Sequence, residues 1–245
     1  VKTDRASAIQ AVVELLEKEK VSYALASAED LLDDASLLGS ARPPVVIVPE
    51  VVVEDDGALV NVASRFADLG MPLLLGSDDT TGTRYLPLHA AYAVRYGLSP
   101  QDALQALTLW PAKVFHLDDR IGSLQKGKDA DLVLHTHDPL SCYARVEWTM
   151  IDDEVVFQRR DAFELDTRPA PLTPIEEPRK APGELPSVGA DAVAIVGGTL
   201  HPITGPDIEN GVLVMSGGRI LAMGAGIAIP GGARGVGASG KHVWP

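Results

Sequence analysis

The sequence predicts an α/β protein, with a parallel sheet covered by helices and then a β-rich region. Three observations carry this reading. Residues 1–115 alternate between helical and extended patterns in βαβα order with short connections, which argues for a parallel sheet with helices packed on it. That stretch holds three extended runs; a closed (β/α) barrel needs eight strands, so it is at most part of one. Beyond Phe115 the pattern changes to short strands and turns almost free of helix signals.

In chain order, Ile9, Val12, Val13, Leu15 and Leu16 recur at helical spacing, with Glu14, Glu17 and Lys18 facing away. Residues 21–25 read as a short strand, and Ser27 as the N-cap of a helix that runs to Leu38 and stops at Gly39. Residues 44–48 are apolar without polar alternation, the pattern of a strand buried on both faces. A helix over residues 57–69, stopped by Gly70, leads to a buried strand over 71–75 that ends in Gly76-Ser77-Asp78-Asp79. Residues 86–96 read as a helix ended by Gly97, and Ser99-Pro100 caps and opens another over 101–109.

Residues 118–129 are turn-rich, and 131–135, 146–151 and 154–158 read as strands, the last two joined by Asp152-Asp153. Pro169, Pro171, Pro174, Pro178, Pro182 and Pro186, with charges between them, mark residues 161–190 as a linker or extended wrap. Residues 192–196, 212–216 and 219–223 are again strands, separated by Gly-rich turns. The strands after the linker are expected to pair with those before it, because each set alone leaves an apolar face and open edges.

The 245 residues allow one large domain or two smaller ones. With 21 Lys+Arg against 34 Asp+Glu, the net charge of −13 argues against nucleic acid, which needs a basic surface. A hydrophobic share of 46% argues against global disorder. No apolar run reaches the roughly 18–20 residues of a membrane span. The single Cys142 excludes an intrachain disulfide and a Cys-built metal cluster. The chain begins Val-Lys-Thr, with neither initiator Met nor signal peptide, so its compartment is unknown and a missing N-terminus is to be considered.

Asp78 is the first candidate for chemistry. Parallel α/β folds collect their chemistry at the C-terminal ends of strands, where a carboxylate can bind a metal or act as a base. The same residues also serve as turn formers and caps. His135 and His137 stand at i and i+2, which on a strand puts both on one face, where they could chelate zinc. No further ligands gather around them in sequence, and a solvated strand end is the plainer reading. His89 lies on the helix after the Asp loop, His116 at a helix end as a dipole partner, and His201 and His242 stand isolated in the Gly-rich block. Cys142 reads as a buried structural thiol. Gly197-Gly198-Thr199 and Gly231-Gly232 match no phosphate loop and read as turn glycines.

A resemblance adds to this. Ser99-Pro100-Gln101-Asp102-Ala103-Leu104, then Trp110-Pro111-Ala112-Lys113, then Gly122-Ser123-Leu124-Gln125-Lys126-Gly127-Lys128-Asp129-Ala130-Asp131-Leu132-Val133 with Asp138-Pro139-Leu140 resembles the C-terminal part of metal-dependent amidohydrolases. The imidazolonepropionase-like and related cyclic amidohydrolases are the nearest group. Gly76-Ser77-Asp78 resembles the end of barrel strand eight in that superfamily. The resemblance implies that Asp78 is both a metal ligand and the general base, with Asp79 the weaker choice. The tail, Ala192-Val193-Ala194-Ile195-Val196-Gly197-Gly198-Thr199-Leu200 with Asn210-Gly211-Val212 and Gly217-Gly218-Arg219-Ile220, is similar to the N-terminal β-sandwich strands of the same superfamily. There, a stretch like Gly240-Lys241-His242-Val243-Trp244-Pro245 leads into the first barrel strand with its His-x-His ligands.

The implied fold is a partial (β/α)8 TIM-type barrel, comprising its last strands and helices, plus a small composite β-sandwich. Residues 1–115 would be the barrel part and 116–160 sandwich strands of the same unit. Residues 161–190 would be the Pro-rich linker, and 191–245 the N-terminal sandwich strands of a second unit. The inverted order is expected from the junction of a longer tandem polypeptide, with circular permutation as the alternative. The implied function is hydrolysis of C–N bonds in small amide, cyclic amide or imine-type substrates by water activated on a divalent metal, zinc. The isolated chain is expected to be inactive. One departure stands out: the family's sixth strand usually ends in a His ligand, whereas here Leu25 runs into Ala26-Ser27-Ala28. It motivates an alternative, a degenerate non-catalytic module scaffolding an active neighbour. A binding module with a pocket lined by Asp78, Asp79 and Arg84 is a third reading. Homo-oligomerisation is left open.

Overall fold

The computed structural model describes residues 6–26, 29–32, 35–48, 51–77, 85–160, 173–174 and 192–245. They fall into two units, Val1–Asp118 and Asp119–Pro245.

The first unit runs α1 (Ala6–Glu19), β1 (Leu25–Ala26), two 3₁₀ turns (Glu29–Leu32 and Ala35–Leu38), β2 (Val45–Ile47), β3 (Val52–Asp55) and β4 (Ala58–Asn61). It continues with α2 (Val62–Asp68), β5 (Leu73–Leu75), α3 (Leu86–Arg95), α4 (Pro100–Leu107) and α5 (Leu109–Val114). The three expected strands form a parallel sheet in the order β1-β2-β5, with Leu25 beside Val45 and Val45 beside Leu73. The sheet is not closed. All three residues of β5 are buried, as an apolar run between two covered faces requires.

Two expected helices change. Where the helix from Ser27 to Leu38 is expected, the described residues form two 3₁₀ turns, Glu29–Leu32 and Ala35–Leu38. The helix expected over 57–69 starts only at Val62, because residues 52–61 form the β3–β4 hairpin. Its turn is Asp56-Gly57, with φ of 46° and 76°, the left-handed pair that a two-residue hairpin loop demands. Ser99 caps α4 as expected: its Oγ accepts the Asp102 amide at 3.0 Å and donates to Asp102 Oδ2 at 2.6 Å.

The second unit contains β6 (Leu132–His135), β7 (Val146–Ile151), β8 (Glu154–Gln158), β9 (Thr173–Pro174), β10 (Val193–Leu200), β11 (Ile208–Ser216), β12 (Arg219–Ala225), β13 (Arg234–Gly237) and β14 (His242–Trp244). They are hydrogen-bonded into one nine-stranded sheet with the path β12-β11-β10-β14-β6-β7-β8, while β13 pairs with β10 and β9. Apart from Thr173–Pro174, the Pro-rich stretch lies outside the described residues.

β14 is the keystone of this path. It pairs antiparallel with β6 (His242 with His135, Val243 with Leu134) and parallel with β10 (Thr199 with His242, Leu200 with Val243). Strands after residue 190 therefore join strands before residue 160. Val193 and Ile195 of β10 pack in one cluster with Leu132, Leu134, Trp148 and Met150. The alternate residues Ala192 and Ala194 pack in another with Val212, Val214 and Ile229, as the two-residue period of a doubly buried strand dictates. Cys142, expected to be buried, is exposed; it follows a turn after β6, where nothing packs a thiol inward. Among the described residues no helix is long and apolar enough to cross a membrane.

Candidate functional site

The three parallel strands end at Ala26, Ile47 and Leu75 on one side of their sheet. The Gly76 amide donates to Ile47 O at 2.8 Å, which carries the β2–β5 ladder one residue further. A Cβ on Gly76 would stand 3.3 Å from Val46 Cγ1, so glycine lets the chain leave the strand close to its neighbour. This delivers Ser77 to the strand ends. Asp78, Asp79 and Arg84 lie outside the described residues. On α3, downstream of that loop, His89 Nδ1 is buried with no hydrogen-bond partner among the described residues.

A cavity of about 510 Å³ lies at the opposite end of the strands, lined by Tyr23, Arg42, Pro44, Trp110, Lys113 and His116 among others. Tyr23 donates to Glu17 at 2.8 Å. Its phenol is pushed up by burial and by Glu17. Lys113 Nζ stands 4.3 Å from the centre of the Trp110 ring, a cation–π distance. Asp78 follows the other end of β5, so this cavity belongs to a different face.

Among the described residues no group of three or more His, Cys, Asp or Glu side chains converges as a metal site. They do not by themselves fit the divalent metal that the resemblance implies. His135 and His137 do not act as a pair. His135 closes β6 and is buried, 5% exposed, whereas His137 lies past the strand end, exposed, 2.9 Å from Thr136 Oγ1. The alternation that would put both on one face stops at His135, where β6 ends.

The structure does gather histidines that sequence reading left apart. His201 Nε2 lies 2.9 Å from His242 Nδ1, and His201 Nδ1 lies 2.9 Å from Asp207 Oδ1. His135 is the cross-strand neighbour of His242, with its ring 5.2 Å from that of Trp244. Burial and then His242 push His135 down to about 4, against the pull of Asp138. Burial and then His201 also lower His242. No local signal marks this group, because it depends on strand pairing between residues 41 positions apart.

Residues 59–163 match the amidohydrolase family. The chain is 29% identical over 160 residues to the amidohydrolase TasK of Hapsidospora irregularis, covering 62% of this chain and 16% of that protein. It is 41% identical over 76 residues to an imidazolonepropionase of Syntrophobacter fumaroxidans, covering 29% of this chain and 18% of that one. Among solved structures it is similar to an amidohydrolase from Thermotoga maritima, with 28% identity and a TM-score of 0.55, covering 64% of this chain and 43% of that one. The chain thus spans less than a fifth of these two curated relatives. The Ser99–Pro111 segment and the Gly122–Val133 string both fall inside the matched residues, so the similarity to amidohydrolases covers the strings that carry the resemblance in the sequence.

Proposed function

We propose that the chain supplies part of a hydrolase that breaks C–N bonds in small amide, cyclic amide or imine-type substrates, with Asp78 as its base. The observation that supports this is positional. Asp78 follows Gly76-Ser77 at the C-terminal end of β5, where parallel α/β sheets collect their chemistry, and it lies within the matched residues. In this reading residues 1–115 are the last strands and helices of a (β/α)8 barrel, and 116–160 and 191–245 are sandwich strands. Asp78 takes the proton of the attacking water and passes it to the leaving nitrogen. It is also the residue of this chain assigned to a divalent metal such as zinc, which when bound supplies Lewis-acid activation of the water. One carboxylate cannot hold such an ion, so the chain alone is expected to be inactive and the longer polypeptide active.

The test is Asp78→Asn in the longest natural polypeptide containing this chain. Turnover is expected to fall about 10³-fold with KM changed little, the range of a lost general base. Undiminished turnover would sink the assignment. The second reading, a non-catalytic module scaffolding an active neighbour, is favoured by β1, which runs through Leu25-Ala26 into Ser27 without a His. It expects no metal bound by this unit and no effect of Asp78→Asn, so metal analysis and turnover separate the two.

A further inference from the structure

The histidine group of the second unit surrounds the keystone strand and has no part in the proposed chemistry. We propose that His135, His201 and His242 form a proton-operated clasp that holds β14 between the two halves of the sheet and releases it on acidification. The hydrogen bonds set the protonation pattern. Asp207 can only accept, so His201 Nδ1 donates to it. In neutral His201, Nε2 then accepts, and His242 Nδ1 is the donor. The two rings lie 5.2 Å apart and nearly parallel, at 16°. His242 Nε2 is left as the bare nitrogen.

The pair can take one proton without losing a bond. A proton on His242 Nε2 lets Nδ1 pass its own to His201 Nε2, which then bridges Asp207 and His242. A second proton makes both facing nitrogens donors, and the bond between the rings breaks. His135 has no such relay. It is 5% exposed, and its Nδ1 has no hydrogen-bond partner among the described residues. A charge there would be buried, with Nδ1 lacking a partner among the described residues, which is costly.

The charged and titratable groups facing the clasp come from each surrounding element. His137 and Asp138 follow β6, Asp207 precedes β11, and Lys241, next to His242, is ion-paired with Glu147 of β7. Both depressed histidines, His135 and His242, favour the neutral form when folded. A group depressed on folding contributes stability that is complete above its unfolded value and is lost as pH falls toward its folded one. For His135 the window runs from the ordinary imidazole value of 6.5 down to about 4. The hinge is geometric: β14 is three residues long and is the link between β10 and β6 on the sheet path.

The test uses the full chain, labelled with ¹⁵N. At pH 7.5, imidazole NMR is expected to show His201 and His242 both carrying the proton on Nδ1. An Nε2–H tautomer on neutral His242 would overturn the arrangement. From pH 7 to 4.5, hydrogen-exchange protection of the Val243 and Trp244 amides, corrected for intrinsic rates, is expected to fall faster than the roughly tenfold per pH unit set by one proton. Amides between β11 and β12 should keep theirs. Flat protection in β14, or equal loss in β11 and β12, refutes a clasp. His242→Gln should flatten the slope, and an unchanged slope in that variant counts against the proposal. Should that variant not fold, the two wild-type readings decide.

Discussion

Asp129 shows what the Gly127-Lys128-Asp129-Ala130-Asp131 string does physically. Its side chain is 3% exposed and is gripped from two sides. Arg120 donates to Oδ2 through Nη2 at 2.7 Å and Nε at 3.0 Å, and Arg219, beyond the Pro-rich stretch, pairs with Oδ1. Neighbouring Lys128 is buried and donates to Ser123 Oγ at 2.6 Å. Asp131 Oδ1 accepts the Asp152 amide at 3.0 Å. The most recognisable string in the sequence is therefore a structural staple. Asp129→Ala should destabilise the second unit by about 2 kcal/mol. That is less than the loss for a fully buried pair, because both arginines can return to water. Arg120→Ala should cost less than Asp129→Ala, since Arg120 is 57% exposed and Arg219 still holds the carboxylate. Denaturant unfolding followed by fluorescence of Trp148 and Trp244 would measure both, and equal losses would contradict this account.

At the scale of the element, Asn61 ends one structure and starts the next. It closes β4, its Oδ1 accepts the Ser64 amide at 3.1 Å to cap α2, and its Nδ2 donates to Ala93 O of α3 at 2.7 Å. Asn61→Ala removes the cap and one of the bonds to Ala93 O, which keeps those from the Tyr96 and Leu98 amides, an expected loss of about 1 kcal/mol. Asn61→Ser keeps a cap acceptor without setting a carboxylate against Ala93 O and should lose less. Thermal unfolding of the pair checks the order. This cap also shows where sequence reading stops. β2 and β5 were legible because Val45-Val46-Ile47 and Leu73-Leu74-Leu75 are apolar without alternation. The hairpin before Asn61 is marked only by Asp56-Gly57, and the residues after that turn carry a helical period that hides it. β13 and β14 are four and three residues long, too short to show a period. The candidacy of Asp78 rests on its place after a strand in the sequence, whereas the His201–His242 pair is created by register alone and leaves no local trace.

At the scale of the molecule, the second unit is built from two stretches of chain, and the same sheet joins them. Residues 119–160 contribute β6–β8, and residues 192–245 contribute β10–β14. Leu132, Leu134, Trp148 and Met150 from the first share one cluster with Val193, Ile195, Leu213, Met215 and Val243 from the second. Asp129–Arg219 and Glu147–Lys241 add ion pairs across the same division. Neither stretch buries that face alone, so continuity of the backbone between them should matter less than the pairing itself. A single protease site placed between Arg179 and Lys180 tests this. After cleavage the two fragments are expected to co-elute in size exclusion at micromolar concentration, since the hydrophobic cluster and the β6–β14 ladder survive the cut. The covalent link acts as an effective concentration, of millimolar order for short flexible connections. Cutting it should therefore make the unfolding temperature rise with protein concentration, where the intact chain shows no such dependence. Fragments that separate at neutral pH without denaturant would show that β14 does not hold the halves together.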